Sequence, residues 1–143
     1  MFGSVLAGTD GSPRAERAVE QAVDLANAQG ASLVLVTAFP ERETHWEPIQ
    51  GSARVGRGDL RAVAEQVLMR AARHAEEQGV DVEFEARAGD PADVILDVAT
   101  EREVDLIVIG NKGMAGAKRY LLGGVPNKIS HHAPCSVMIV HTD

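Results

Sequence analysis

Residues 110 to 124, GNKGMAGAKRYLLGG, carry five of the chain's 14 glycines directly after an apolar run, DLIVIG. Their spacing, Gly110-x2-Gly113-x9-Gly123-Gly124, is suited to an anion. Glycines that follow a buried strand let successive backbone N–H groups converge. A helix beginning past Gly123 and Gly124 adds unpaired donors and the positive end of its dipole. The chemistry this would do is phosphate binding; the plainer alternative is a turn with a helix cap. A second short loop, GTDGS at 8 to 12, sets a carboxylate, Asp10, at the end of another apolar run. That carboxylate either faces a ligand or closes an Asx-turn before Ser12.

Other machinery is missing. No G-x-G-x-x-G follows the first apolar run. GSARVGRG at 51 to 58 has the glycine spacing of a phosphate loop, but it puts Arg57 where the lysine belongs and Gly58 where the hydroxyl belongs. There is no nucleophile elbow, no H-E-x-x-H and no Cys and His pair at ligand spacing. No general base or nucleophile for efficient catalysis is evident. Lys112, Lys118 and Arg119 are as readily a solvated face as phosphate ligands. His131 and His132 suit the negative end of a helix, and Cys135 reads as a small core residue.

The elements that must position these loops follow from hydrophobic periodicity. FGSVLAG, 2 to 8, reads as a strand feeding a helix that Ser12 caps and Pro13 begins, with Gly30 ending it. SLVLVTAF, 32 to 39, and VDLIVIG, 104 to 110, are unbroken apolar runs, as expected of strands buried on both faces. Residues 40 to 58 have no period and form a long loop. From Asp59, taken as N-cap, the stripe Leu60, Val63, Ala64, Val67, Leu68, Ala71, Ala72 and Ala75 draws a regular helix up to Gly79. VDVEFEAR, 80 to 87, alternates apolar and acidic residues, the pattern of a strand near a sheet edge. Asp90 and Pro91 restart a helix, a short one runs near Pro126 to His132, and SVMIVH, 136 to 141, is the last strand.

Strands alternating with helices imply a parallel sheet with helices on both faces, because right-handed crossovers leave few other arrangements. In strand order 3-2-1-4-5 the first and fourth strands are neighbours. Ligands in such sheets bind beyond the carboxyl ends of the strands, where the winding reverses. Both glycine loops would then face one crevice.

Composition narrows the partners. The chain has 143 residues, 45% of them hydrophobic, enough for a single domain spanning 1 to 143. Fourteen Lys and Arg stand against 21 Asp and Glu, a net charge of -7, which argues against nucleic acid or an anionic membrane as partner. Any bound anion must be held locally. A single cysteine allows no intrachain disulfide and fits a reducing, cytoplasmic setting, and the N-terminus carries no signal or membrane-spanning run.

The whole chain resembles the universal stress protein family. The resemblance rests on TDGS after the first strand, the variable loop at 40 to 58, the glycine spacing after the fourth strand and HAPCSVMIV leading into the fifth. Nucleotide-binding members carry G-x2-G-x9-G-[ST] at this place. The resemblance implies a three-layer αβα sandwich with a five-stranded parallel sheet, Rossmann-like and of the adenine-nucleotide α-hydrolase-like kind. It also implies a nucleotide site of Gly8, Thr9, Asp10, Ala38, Gly110, Asn111, Gly113, Gly123, Gly124 and Val125. Asp10 would lie by the ribose or a nucleotide-bound Mg²⁺, Ala38 by adenine, and the glycines around the phosphates.

Two departures bear on the ligand. Gly124 stands where the family has a hydroxyl, and Pro126 has no N–H to offer. Asn127, Lys112 or Lys118 would have to compensate. ATP, AMP and cyclic AMP all stay open, ATP first by frequency in the family, with Gly110-Asn111 and Gly123-Gly124 closer to its cyclic-AMP-binding members. A regulatory nucleotide-binding module, a slow ATPase using Asp10 and Mg²⁺, and a nucleotide-free interaction protein are the three functional readings. The resemblance also implies a homodimer, paired through the apolar strand 136 to 141. Trp46 would cover adenine or a neighbouring subunit.

Overall fold

The computed structural model describes residues 1–41, 57–111 and 124–142. Most of the expected loop at 40 to 58, with Trp46, lies outside the described residues, and so do Gly113, Gly123, Lys112, Lys118 and Arg119. Along the described chain run β1 (Ser4–Gly8), α1 (Pro13–Gln29), β2 (Ser32–Phe39), α2 (Arg57–Glu77), β3 (Val82–Ala88), α3 (Pro91–Glu101), β4 (Leu106–Gly110), α4 (Gly124–His132) and β5 (Ser136–Val140). The strands form one sheet in the order β3-β2-β1-β4-β5, and every pairing is parallel. This is the expected sandwich.

Alternation along the unbroken apolar runs divides them between two cores. Val5, Ala7, Leu33, Leu35, Leu106 and Val108 face α1 and α2. Leu6, Val34, Val36, Ile107 and Ile109 face α3 and α4. α1 and α3 are started by the residues expected. Ser12 Oγ accepts from Ala15 N at 3.2 Å, Asp90 Oδ2 accepts from Asp93 N at 3.1 Å, and Gly30 ends α1 at φ 66°.

Two helix starts and one exposure differ from expectation. The second helix begins at Arg57, so Asp59 lies within its first turn, near the positive end of the dipole, and is not its cap. Val63, counted in its buried stripe, is 40% exposed. α4 begins at Gly124, which places Pro126 in the first turn, where a missing N–H costs no helical bond.

The edges are built differently. In β3 the acidic positions face the α3 side and are paired. Arg102 reaches Glu83 at 3.0 Å and Glu85 at 3.3 Å, while Arg87 bonds Glu85 and reaches Glu101 at 2.6 Å. The Arg87 hydrogen bond holds the Glu101 carboxyl below its usual range. That contribution is present above the ordinary carboxylate pKa, fades as pH falls through the lowered one, and is small because the group is exposed. Leu33 N donates to Asp81 O and Gly89 N to Phe39 O, so the odd residues of β3 pair with β2 and the even ones turn their main chain outward. Arg61 of α2 donates to one of those outward carbonyls, Ala86 O, at 3.0 Å while stacking over Phe39 at 5.1 Å. β5, at the other edge, is apolar after Ser136, and its Met138 is 37% exposed.

Cys135, just before β5, packs partly buried beside the α3 and α4 core. Burial first, and then the charge of Asp105, push its thiol up from the usual range. A neutral alkylating reagent is therefore expected to modify Cys135 more slowly than free cysteine at about pH 8, and faster as pH rises. Equal rates would show an ordinary thiol.

Candidate functional site at the switch point

The sheet reverses its winding between β1 and β4, which are paired in the register Val5↔Leu106, Leu6↔Ile107 and Ala7↔Val108. α1 leaves β1 toward one face, and α4, after β4, packs on the other. The loops that begin at Gly8 and at Gly110 therefore leave adjacent strands at the same end of the sheet.

The β1 loop is stiff. Thr9 is 1% exposed. Its N–H donates to Val36 O at 2.9 Å, its carbonyl accepts from Thr37 Oγ1 at 2.8 Å, and its Oγ1 accepts from Gly11 N at 3.0 Å. Its side chain thus shapes the loop from inside. Gly11 turns at φ 82°, where an added Cβ would meet Val67 Cγ2 at 3.0 Å. The turn leaves Asp10 exposed at the tip, with Oδ1 accepting from Ser12 N at 2.9 Å. The Asx-turn anticipated for this carboxylate is present, and it occupies one of the two oxygens.

On the β4 side, Asn111 N donates to Val140 O at 2.8 Å, and Asn111 Oδ1 accepts from Thr142 N at 3.0 Å and Thr142 Oγ1 at 3.1 Å. Gly110 lies so close to Thr142 that a Cβ would come 3.2 Å from its Cγ2. Gly124 opens α4, exposed, with nothing among the described residues outside its own helix backbone within 4 Å of an added Cβ, and Val125 packs half-buried beside the α3 and α4 core.

Ala38, next to last in β2 one strand away, lines a cleft of about 560 Å³ with Pro40, Glu41, Gly89, Asp90 and Asp93. Its carboxylates are answered by Lys128 of α4, whose Nζ lies 2.6 Å from Asp93 Oδ1 and 3.8 Å from Asp90 Oδ2. The Asp93 hydrogen bond pushes the ammonium above its usual range. Sequence reading missed this pairing. Its signal was the G-D-P cap sequence, but nothing local says that α4 lies beside it. A smaller recess of about 230 Å³ lies under the β1 loop between α1 and α2, lined in part by Thr9, Gly11, Val19 and Val67.

Among the described residues no cluster of three metal-binding side chains occurs. Among them, too, no helix is long and apolar enough to cross a membrane.

Fold and site define a doubly wound α/β protein whose β1 and β4 exits lie side by side at its switch point. The chain belongs to the universal stress protein family, whose model matches residues 1–141. It is 33% identical to universal stress protein YxiE of Bacillus subtilis over 98% of this chain and 99% of that one. It is also 33% identical to a universal stress protein of Mycobacterium tuberculosis, strain H37Rv, over 99% and 97% of the two chains. A crystal structure of a universal stress protein in complex with cAMP is 31% identical, with a TM-score of 0.77 over 99% of this chain and 98% of that one.

Proposed function

We propose that this protein binds an adenine nucleotide across the switch point and works as a regulatory module in a stress response. The observation that carries the reading is the convergence of the Asp10 turn, the Gly110-Asn111 exit and the start of α4 at one end of the sheet, in a fold whose relative holds cAMP. Asp10 keeps one oxygen for the ribose or for Mg²⁺ that arrives with a nucleotide. The acid-lined cleft beside Ala38 suits the donor edge of adenine better than a phosphate. Gly8 and Gly110 let backbone approach the ligand, and Gly113, Gly123 and Val125 complete the phosphate side in this reading.

Phosphate number follows from the donors. Gly124 offers α4 only its main-chain N–H, which supports AMP or cyclic AMP; ATP is the second reading, supported by the glycine spacing. Calorimetric titration with AMP, cyclic AMP and ATP, with and without Mg²⁺, is the test. No heat with any of them at millimolar ligand overturns the proposal. A direct check follows: Gly124→Ser adds a hydroxyl donor that meets none of the described residues and is expected to tighten ATP by about tenfold. An unchanged affinity would place the phosphates elsewhere.

The apolar β5 edge supports a homodimer paired through residues 136 to 141. Met138→Arg, which sets a charge on that edge, is expected to shift the sedimenting species from dimer to monomer. A dimer that survives the change must form through another face. A cytoplasmic setting fits this reading, since Cys135 has no intrachain partner.

A further inference from the structure

Thr142 lies two residues past the end of β5 and is nevertheless 1% exposed. It is held from two sides. Arg17 of α1 donates from Nη1 to Thr142 O at 2.5 Å, and Thr142 gives both its N–H and its hydroxyl to Asn111 Oδ1. The register explains the second contact. Val140 pairs with Gly110, and Asn111 N donates to Val140 O. The next bond of a parallel ladder would therefore run from Thr142 N to the main-chain carbonyl of Asn111. The Asn111 side chain takes that place. The ladder ends satisfied, while the main chain of Asn111 is free to leave the sheet at this point. The methyl of Thr142, against Gly110, closes the remaining space.

We propose that Thr142 is a positioning residue for the phosphate side of the crevice, acting through Asn111. Asn111 is then not a ligand by its carbonyl oxygen; it sets where β4 releases the chain. Arg17 ties the same hub to α1, the helix that starts from the Asp10 turn, so a residue beyond the last strand braces both loops of the site. The inference rests on the nucleotide reading above.

The test is calorimetry on the full chain with two ligands, AMP and adenosine. Thr142→Val keeps the shape and removes the hydroxyl donor. It is expected to weaken AMP by about fivefold, the worth of one ordinary hydrogen bond, while adenosine binding stays as in the parent. Thr142→Ser, which keeps the donor, is expected to recover most of the loss. Asn111→Ala should weaken AMP to a similar degree, and the double variant should be no weaker than either single one, since both act on one contact. Equal weakening of AMP and adenosine would mean a merely structural role, and additive losses would mean that Thr142 does not act through Asn111; either overturns the proposal. Arg17→Met tests the second tie if the Thr142 variants fold poorly, with the same selective loss expected and an equal loss of both ligands counting against it. A parent protein that binds no nucleotide removes the nucleotide reading and this inference together. A parent that binds while the variants match it removes this inference alone.

Discussion

Replacing Gly11 with alanine is expected to lower the unfolding free energy by about 2 to 3 kcal/mol, from two separable causes. The first is conformational: at φ 82° an L side chain pays roughly 1 to 2 kcal/mol. The second is steric. The new Cβ would sit 3.0 and 3.2 Å from Val67 Cγ2 and Cγ1, and a valine on a helix has little rotamer freedom with which to give way. Val67→Ala removes the second cause only. The double variant should therefore lose less stability than the sum of the single ones, while the conformational part persists. Urea unfolding at unchanged m-value measures all three. A Gly11→Ala protein as stable as its parent would show that the turn tolerates a side chain. Because Gly11 N donates to Thr9 Oγ1 and follows Asp10, the same change should also disturb the carboxylate and weaken the proposed nucleotide binding.

Leu35→Ala is expected to cost about 3 kcal/mol and to lower the thermal midpoint by about 10 °C. Leu35 is fully buried on β2, between β1 and β3, and faces the α1 and α2 core. Its neighbours belong to a sheet and two helices that cannot close over the space left. The contrast is Phe84 on the edge strand, 39% exposed, which stands in neither core cluster. Although its ring is larger, Phe84→Ala should cost less than Leu35→Ala. Calorimetric scans of both variants decide the order, and a reversed order would mean that β3 carries more of the stability than its exposure implies.

The architecture was legible because its determinants are local. Unbroken apolar runs at 32 to 39 and 104 to 110 mark strands covered on both faces, and Ser12, Asp90 and the prolines after them mark helix starts. The parity of β3 was legible too: Glu83, Glu85 and Arg87 alternate onto one face. What answers them was not, since Arg102 comes from the end of α3 and its approach depends on how that helix lies against the sheet. The start of α2 was misplaced because Asp59 has the residue type of a cap, and the stretch before it has no period to contradict that reading.

The site divides in the same way. The Asp10 turn could be read from TDGS alone, as could the room that Gly124 leaves. The inward use of Thr9 could not, because Thr37 and Val36 are brought to it by the β1–β2 register. Nor could the use of Asn111, a polar side chain in a glycine loop that reads as a ligand. Its partner is Thr142, 31 positions along the chain, and only the β4–β5 register brings the two together.

The two borders of the sheet differ in a way that would set a stopping rule for the proposed assembly. Joining two copies through β5, as proposed, uses up the bare apolar border of each and makes one continuous sheet whose outer limits are both β3. There Arg61 already occupies an outward carbonyl, and the ladder from Glu83 to Glu101 lines that border with fixed charge. A third copy meets no strand able to receive it. In the proposed assembly, the arginines that protect the third strand are what would hold the count at two.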